Sequence, residues 1–470
     1  MSFCNLENSA REFATPNQNY GARFAIGIVC YLVAAIAIPG IGFAQDAPAT
    51  SKQDEAQTSK ANQAPQETAP IQSEKQKSKD VHKLRPQFGT KKLISKSEQA
   101  IQDGLDFLVK TQNSDGSWGS HDPKIANLLN FGFKTSNRGS QDAVRIACTA
   151  ICAEALLYQP DLSAKQQQAL DKAIEELLKV HKFAFHPGET FNTWGYGYKL
   201  GFLVQLNMTD EQGKYRERLL PAAQSCVDGL LRYQQHTGGW GYYAGVQQDF
   251  ESMSFNTAFF GLSLFRAKEM ELSVPEGMVI DAVETVKRQR APDGSFVYSS
   301  NHEKNASGIL ANLGSGSRTI SSALALFEMG IYDKSDLNRA MDIFETGANY
   351  LEQGRKLIQP HSAVHAISGY FFFFGYNYAT EVAVLLGEDL PQKRWDRLAW
   401  TMLRTQEKNG SWWDTAAADY GDKWGTGFAI QSLQRYLREM ERRGVIKLNE
   451  NKQREEKSDG LGETKNGDDE

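Results

Sequence analysis

Between residues 92 and 446 the chain alternates two kinds of apolar pattern. In the first, apolar side chains recur on one face only. Ile101, Leu105, Leu108 and Val109 fall at i, i+4, i+7 and i+8, Val279, Val283 and Val286 at i, i+4 and i+7, and Trp395, Leu398 and Met402 at i, i+3 and i+7. This spacing predicts helices with one face on a core and the other in water. In the second kind, small residues mix with apolar ones nearly all round, as in AVRIACTAICAEALL (143–157), SFNTAFFGLSLF (254–265), TISSALALFEMG (319–330) and WGTGFAIQSLQRYL (424–437). Such a helix is packed on several sides. Residues 169–206, and 339–351 followed by 363–386, keep the same two-helix rhythm, which makes six outer and inner pairs.

One phrase recurs where the first kind of helix gives way to the second. Gln112 to Trp118 in TQNSDGSWG is answered by Gln235 to Trp240 in QQHTGGWGYY, Gln289 to Phe296 in RQRAPDGSFVY, and Gln406 to Trp412 in TQEKNGSWWD. Asp-Gly, Gly-Gly or Asn-Gly ends the preceding helix, because glycine accepts the positive φ that such a stop requires. From Trp118 to Trp412 there are five steps of roughly 59 residues each, a period longer than that of most open solenoids. Six such pairs can close a ring.

The Gln-to-Trp phrase resembles the QW repeat of the prenyltransferase and squalene (terpenoid) cyclase superfamily, and the six pairs resemble its all-α, six-unit (α/α) toroid. The resemblance implies that each glutamine bonds backbone groups at helix ends and that each aromatic ring stacks across the junction between units. It implies less about activity, since one fold hosts many chemistries. The superfamily's Asp-x-Asp-Asp acid motif is absent from 92–446, as are an Asp-Asp-x-x-Asp set for magnesium diphosphate, a zinc site of Asp, Cys and His, and a Cys-Gly-Glu-Gln thioester loop. His361 and His365 stand at i, i+4 without a third ligand nearby, so they read as two independent histidines; no metal and no cofactor is expected.

Composition narrows the partners. The chain is 40% hydrophobic and 23% charged with a net charge of -5, so it lacks the basic face that binding nucleic acid requires. Residues 24–44 form an uncharged run after Arg11 and Arg23, broken by Pro39 and ending Gly42-Phe43-Ala44, and are read as a signal peptide over 1–44, with an uncleaved anchor as the alternative. The body is then exported: periplasmic, extracellular, or held near a membrane by its N-terminus. Residues 45–91 read as a polar linker and 447–470 as a charged tail, both too poor in apolar side chains to offset chain entropy. Cys148, Cys152 and Cys226 follow no disulfide framework and read as buried thiols.

Polar and aromatic residues cluster at the starts of the inner helices, where a toroid opens its cavity. Candidate ligand-binding residues are Trp194, Asn256, Arg318, His365, Tyr376, Asn377, Tyr378 and Asp419. Aromatics with a few polar groups make a small-molecule site. The leading expectation is a non-enzymatic toroid that binds an isoprenoid, a glycan or a protein segment. Two enzymatic alternatives stay open: an isoprenoid cyclase or transferase with a relocated acid among Asp249, Glu251 and Asp419, or a polysaccharide lyase using Asn377, Arg318, His365 and Tyr378.

Overall fold

The computed structural model describes residues 86–121, 138–183, 191–242, 251–301, 313–357, 371–415 and 419–446, with the side chains of 138–140 excepted. The expected signal peptide, the charged tail and nearly all of the linker lie outside them, as does His365. Twelve α-helices run through the described residues: α1 (Thr90–Thr111), α2 (Arg138–Leu157), α3 (Ala164–Leu177), α4 (Asn192–Thr209), α5 (Arg216–Tyr233), α6 (Ser254–Ala267), α7 (Glu276–Arg288), α8 (Gly316–Glu328), α9 (Lys334–Gly354), α10 (Phe372–Leu386), α11 (Gln392–Thr405) and α12 (Gly421–Arg442). No described helix is long and apolar enough to cross a membrane. The toroid starts slightly earlier than the expected end of the linker. Thr90 opens α1, and just before it Phe88 packs edge-on against Trp400 at 5.5 Å.

The even-numbered helices pack in succession, and α12 returns to α2, so they form a closed inner ring. Outside it α3 packs on α2, α5 on α4, α7 on α6, α9 on α8, and α1 on α12. This is the all-α, six-unit toroid. Inner helices are buried on both sides, which is why their apolar residues run all round. In α6, for example, Phe255, Ala258, Phe260, Leu262 and Leu264 are all buried. Glycine lets neighbouring inner helices approach: a Cβ on Gly427 of α12 would lie 2.8 Å from the Ile151 side chain of α2, and one on Gly375 of α10 would lie 2.1 Å from Ser317 Oγ of α8. Any larger side chain would force the ring open.

The Gln-to-Trp turns fix inner helix to outer helix. In unit 1, Gln112 Nε2 donates to Gly116 O (3.0 Å) and to Ala169 O (2.7 Å) on α3, the next outer helix. Trp118 is fully buried, its indole Nε1 donates to Leu108 O (2.8 Å), and its backbone N donates to Thr149 Oγ1 (3.0 Å) on α2. Units 3 and 6 repeat this with Trp240 to Leu230 O and Thr257 Oγ1, and with Trp412 to Met402 O and Thr426 Oγ1. Gly116, Gly238, Gly294 and Gly410 all take φ between 87° and 95°, the left-handed turn expected of them.

Two glutamines were expected in this role and do not fill it. The clamp of unit 3 is Gln234, not Gln235: Gln234 Nε2 donates to Gly238 O (2.8 Å) and Met278 O (3.0 Å), six residues before Trp240 as in units 1 and 6. Gln235 is buried with neither amide atom paired among the described residues. Counting six residues back from Phe296 in unit 4 gives Arg290, while Gln289 donates to Ser252 O (2.7 Å) instead. There the reach between outer helices runs the other way, from Arg339 Nη2 on α9 to Asp293 O (2.7 Å).

Unit 2 lacks the phrase and is stitched by charge. Lys199 on α4, 1% exposed, donates to Lys179 O (2.5 Å) and to His181 Nδ1 (2.9 Å), while His181 Nε2 faces Glu176 Oε1 of α3 (3.4 Å). Because Nδ1 accepts from the ammonium, the ring proton sits on Nε2 and is aimed at the carboxylate.

Candidate functional site

Residues three or four apart on an inner helix share its inward face. On α2 these are Val144, Ala147, Cys148 and Ile151; on α4, Trp194 and Tyr198; on α10, Phe374; on α12, Trp424 and Phe428. With Phe191, Tyr242, Phe255, Phe371 and Thr415 they line a cavity open at one end. Helix α8 contributes no lining residue because Phe255 of α6 meets Phe371 (4.8 Å) and Phe374 (6.0 Å) across it. The lumen is thus walled by five inner helices.

Phe191 stands just before α4 at φ 63°, a left-handed conformation that costs a non-glycine residue about 1–2 kcal/mol. Its N–H donates to Tyr242 O (2.8 Å), and its ring packs on Trp194 (4.8 Å) and Tyr242 (5.2 Å). Strain of this kind persists only where surrounding packing holds it. Two polar atoms on the wall are held in hydrogen bonds. Trp194 Nε1 donates to Asn256 Oδ1 (3.1 Å), and the Tyr242 and Tyr298 hydroxyls bond at 2.8 Å. Thr415 Oγ1, buried, has no partner among the described residues.

Two turns further along each inner helix the aromatic wall becomes ionic. Seven residues beyond Tyr198, Phe259, Phe374 and Phe428 stand Gln205, Arg266, Glu381 and Arg435, and α2 adds Glu154 and Tyr158. Tyr158 OH bonds Gln205 Oε1 (2.5 Å), Arg266 Nε donates to Glu328 Oε2 of α8 (2.9 Å), and Arg266 also reaches Glu381 (3.2 Å). Arg435 donates to Asn377 Oδ1 (2.7 Å) and pairs with Glu381 (3.4 Å). All six inner helices enter this collar, which shuts one end of the lumen. The Glu154 carboxyl has neither a hydrogen bond nor an ion pair among the described residues. Burial pushes its carboxyl up to about 7, against the pull of Arg435 and Arg266.

The candidate residues separate into distinct places. Trp194 is on the cavity wall, with Asn256 fixing its indole. Tyr378 lies beneath the wall, 4.6 Å from Phe374 and 6.2 Å from Phe259, and Asn377 belongs to the collar. Tyr376 turns outward to Phe344 (5.0 Å) and Phe372 (4.9 Å). Arg318 is buried and donates to Phe296 O (2.7 Å) and Gly314 O (2.9 Å), so it holds a turn. Asp419 pairs with Lys423 Nζ at 2.6 Å, and Glu251 accepts from Ser299 and Asn301. Asp249 lies outside the described residues.

A carboxylate that sequence reasoning passed over sits closer to the lumen. Asp414, beside Thr415, accepts from Phe373 N (3.2 Å) through Oδ2 at the start of α10, while its buried Oδ1 has no partner among the described residues. Burial pushes this carboxyl up to about 7, outweighing the α10 backbone N–H groups and Arg355 that favour its charged form. The described residues hold no group of three or more His, Cys, Asp or Glu able to bind a metal ion.

Residues 89–259 match the family model of the squalene-hopene cyclase C-terminal domain. Among solved structures the chain is similar to the type II terpene cyclase MstE from Scytonema, at 14% identity over 74% of this chain and 99% of that one, with a TM-score of 0.45. It is also similar to the GH76A alpha-1,6-mannanase from Salegentibacter sp. HEL1_6, at 11% identity over 73% and 99% with a TM-score of 0.45. A novel alpha-amylase from Clostridium perfringens resembles it at 10% identity over 72% and 97%, again with a TM-score of 0.45. No curated protein matches the chain.

Proposed function

From the match of residues 89–259 to the squalene-hopene cyclase C-terminal domain, we propose that this toroid is a member of the terpenoid cyclase superfamily and that its lumen binds a hydrophobic ligand of isoprenoid type, entering by the mouth and resting on the aromatic wall. The observation that carries this reading is the lining. A lining of Val144, Ile151, Phe255, Phe374, Trp424 and Phe428 would remove hydrocarbon from water. A glycan would need its many hydroxyls matched by donors and acceptors, and this wall is mostly hydrocarbon and aromatic ring. The collar closes the far end, which argues against a threaded protein segment. Export of the domain is part of the same proposal and is supported by the composition of residues 24–44 alone.

The test is a thermal shift of the full-length chain with an isoprenoid alcohol and, separately, a uronate oligosaccharide. A ligand at about a hundred times its Kd stabilises the folded state by about 2.7 kcal/mol, so the isoprenoid raises the midpoint and the oligosaccharide leaves it. Ala147→Phe fills the lumen from α2 and abolishes the shift. A shift with the oligosaccharide alone, or one that Ala147→Phe leaves untouched, would refute the reading.

Asp414 favours a second reading, in which a relocated acid protonates the bound isoprenoid. Its support is a buried carboxyl raised to about 7 with one unpaired oxygen beside the wall. Its geometry also serves as the missing cap of α10, so the enzymatic reading stands second. Conversion of a linear polyprene into a cyclic isomer of equal mass, lost in Asp414→Asn, would establish it; no turnover by the parent chain removes it.

A further inference from the structure

One carboxyl of the collar has no counter-charge. Along α2 the lining residues Ala147 and Ile151 are followed on the same face by Glu154, one turn or about 4.5 Å beyond Ile151. Arg266 of α6, Glu381 of α10 and Arg435 of α12 all act on its charge. It acts in turn on Tyr198 of α4, Tyr378 of α10 and Tyr158 of its own helix. A side chain of α2 within electrostatic reach of four other inner helices points to the axis of the ring. Glu154 and Tyr198 both keep part of their surface accessible, and the Tyr198 ring lines the cavity. Glu154 therefore stands at the inner end of the lumen, where the aromatic wall meets the collar.

The charges around it show what it lacks. Arg266 is met by Glu328 and Glu381, and Arg435 by Glu381 and Asn377 Oδ1, so two guanidinium groups answer two carboxylates. Arg438 stands one turn further out on α12, over the Tyr158 ring at 5.1 Å, and is not among the charges that act on Glu154. An ionised Glu154 is thus a carboxylate without a cation of its own, and burial raises its carboxyl accordingly. Aromatic rings surround the same place. Tyr198 lies 4.7 Å from Phe259 and 6.4 Å from Phe428, Tyr378 lies 6.2 Å from Phe259, and the Tyr198 hydroxyl has no hydrogen bond among the described residues. Rings beside an unanswered carboxylate suit a positive charge. A negative one would face Glu154 and Glu381 together.

We propose that the inner end of the lumen is a site for an organic ammonium group, held by Glu154 with the rings of Tyr198 and Phe428, so that the ligand is a lipophilic amine whose hydrocarbon lies along the wall. This rests on the hydrophobic-ligand reading and adds the charge of the ligand and the end of the lumen that receives it. Glu154 acts as a specificity-determining residue: it favours an amine over the alcohol of equal length and disfavours the carboxylate.

The experiment titrates the full-length chain by calorimetry at pH 8 with three probes of one chain length: octylamine, octanol and octanoate. A primary amine keeps its charge at this pH. Octylamine should bind about tenfold more tightly than octanol, with octanoate weakest, and Glu154→Gln should bring the amine to the level of the alcohol. The amine should also bind about tenfold more weakly at pH 6 than at pH 8, because a carboxyl raised to about 7 is mostly charged at the higher pH and mostly neutral at the lower. Equal binding of amine and alcohol, tightest binding of octanoate, a preference that survives Glu154→Gln, or an amine affinity unchanged between pH 8 and pH 6 overturns the ammonium site while the hydrophobic cavity stands. Failure of all three probes to bind overturns both. Should Glu154→Gln not fold, the ranking of the probes and the pH dependence on the parent chain decide.

Discussion

The turn from α1 to α2 and the turn from α3 to α4 hold equivalent junctions with opposite chemistry. In unit 1 the clamp is made of neutral groups: an amide, an indole and a threonine hydroxyl satisfy backbone groups that would otherwise be buried unpaired, and the ion pair at the turn, Asp115 with Arg145 (3.3 Å), lies beside them. In unit 2 it is a chain of titratable groups running from Glu176 through His181 to Lys199, with Arg145 approaching the carboxylate at 3.9 Å. Neutral joints work at any pH. The ionic joint depends on each member keeping its protonation state, so acid should loosen it while the amide and indole bonds of the glutamine-to-tryptophan clamps hold.

Substitutions at both kinds of joint test that contrast, the largest effect first. Trp412→Ala empties the neutral joint where unit 6 meets unit 1 and should cost about 4 kcal/mol, read as a fall in the urea midpoint. Trp412→Phe should cost far less, because Phe296 already serves in unit 4. If alanine is tolerated as well as phenylalanine, the aromatic is not the joint.

Glu176→Gln breaks the ionic joint. Burial raises the Glu176 carboxyl, but His181 and Lys179 pull it down to about 2, against 4.5 when unfolded. A depressed carboxyl adds stability above its unfolded value and loses it as pH falls towards the folded one, here from about 4.5 to about 2. At pH 7 the variant should be less stable by about 3 kcal/mol, and the two proteins should converge across that acid window. His181 acts in the same direction: burial lowers its pKa, so its contribution begins to fall as pH drops below the ordinary value of 6.5. A difference that stays constant from pH 7 to pH 2 would mean that the joint is held by shape and not by charge.

The smallest effect separates neighbours. Gln234→Ala removes two hydrogen bonds and should cost about 1–2 kcal/mol. Gln235→Leu removes a buried amide with no partner and should be neutral or stabilising. The reverse order would restore Gln235 to the clamp.

This pair also shows what was legible in the sequence. Helix kind and number could be read because burial on one face or on all faces leaves a periodic signature, and the toroid followed from six repeats of it. The clamp register was legible too, since Gln112 and Gln406 both precede tryptophan by six residues, yet the doubled glutamine at 234–235 and the substituted Arg290 mask that count. Thr149, Thr257, Thr319 and Thr426 were harder. Each caps the backbone of its aromatic, but they follow Trp118, Trp240, Phe296 and Trp412 by 31, 17, 23 and 14 residues, so loops of unequal length hide the repeat. The collar could be anticipated only once the inward faces were known. That Thr415 Oγ1 and Asp414 Oδ1 lack partners among the described residues depends on what other segments fail to offer them, and no local pattern records that.

The join between the two ends of the chain sets the order in which the molecule can form. Gln406 Nε2 reaches Ala100 O (2.9 Å), Gln431 Nε2 reaches Ile151 O (3.1 Å), Gln434 Nε2 reaches Ala155 O (2.9 Å), and Thr90 Oγ1 donates to Asp396 Oδ2 (2.8 Å). These bonds span about 280 to 306 residues of sequence. Units 1 to 5 can assemble by neighbour contacts as they are synthesised, but α1 and α2 keep an uncovered face until α12 has been made. Contacts this distant along the chain form late and slowly. The nascent protein is therefore an open arc with two sticky edges, and aggregation, proteolysis and chaperone capture should all act on that arc before the last helix closes it.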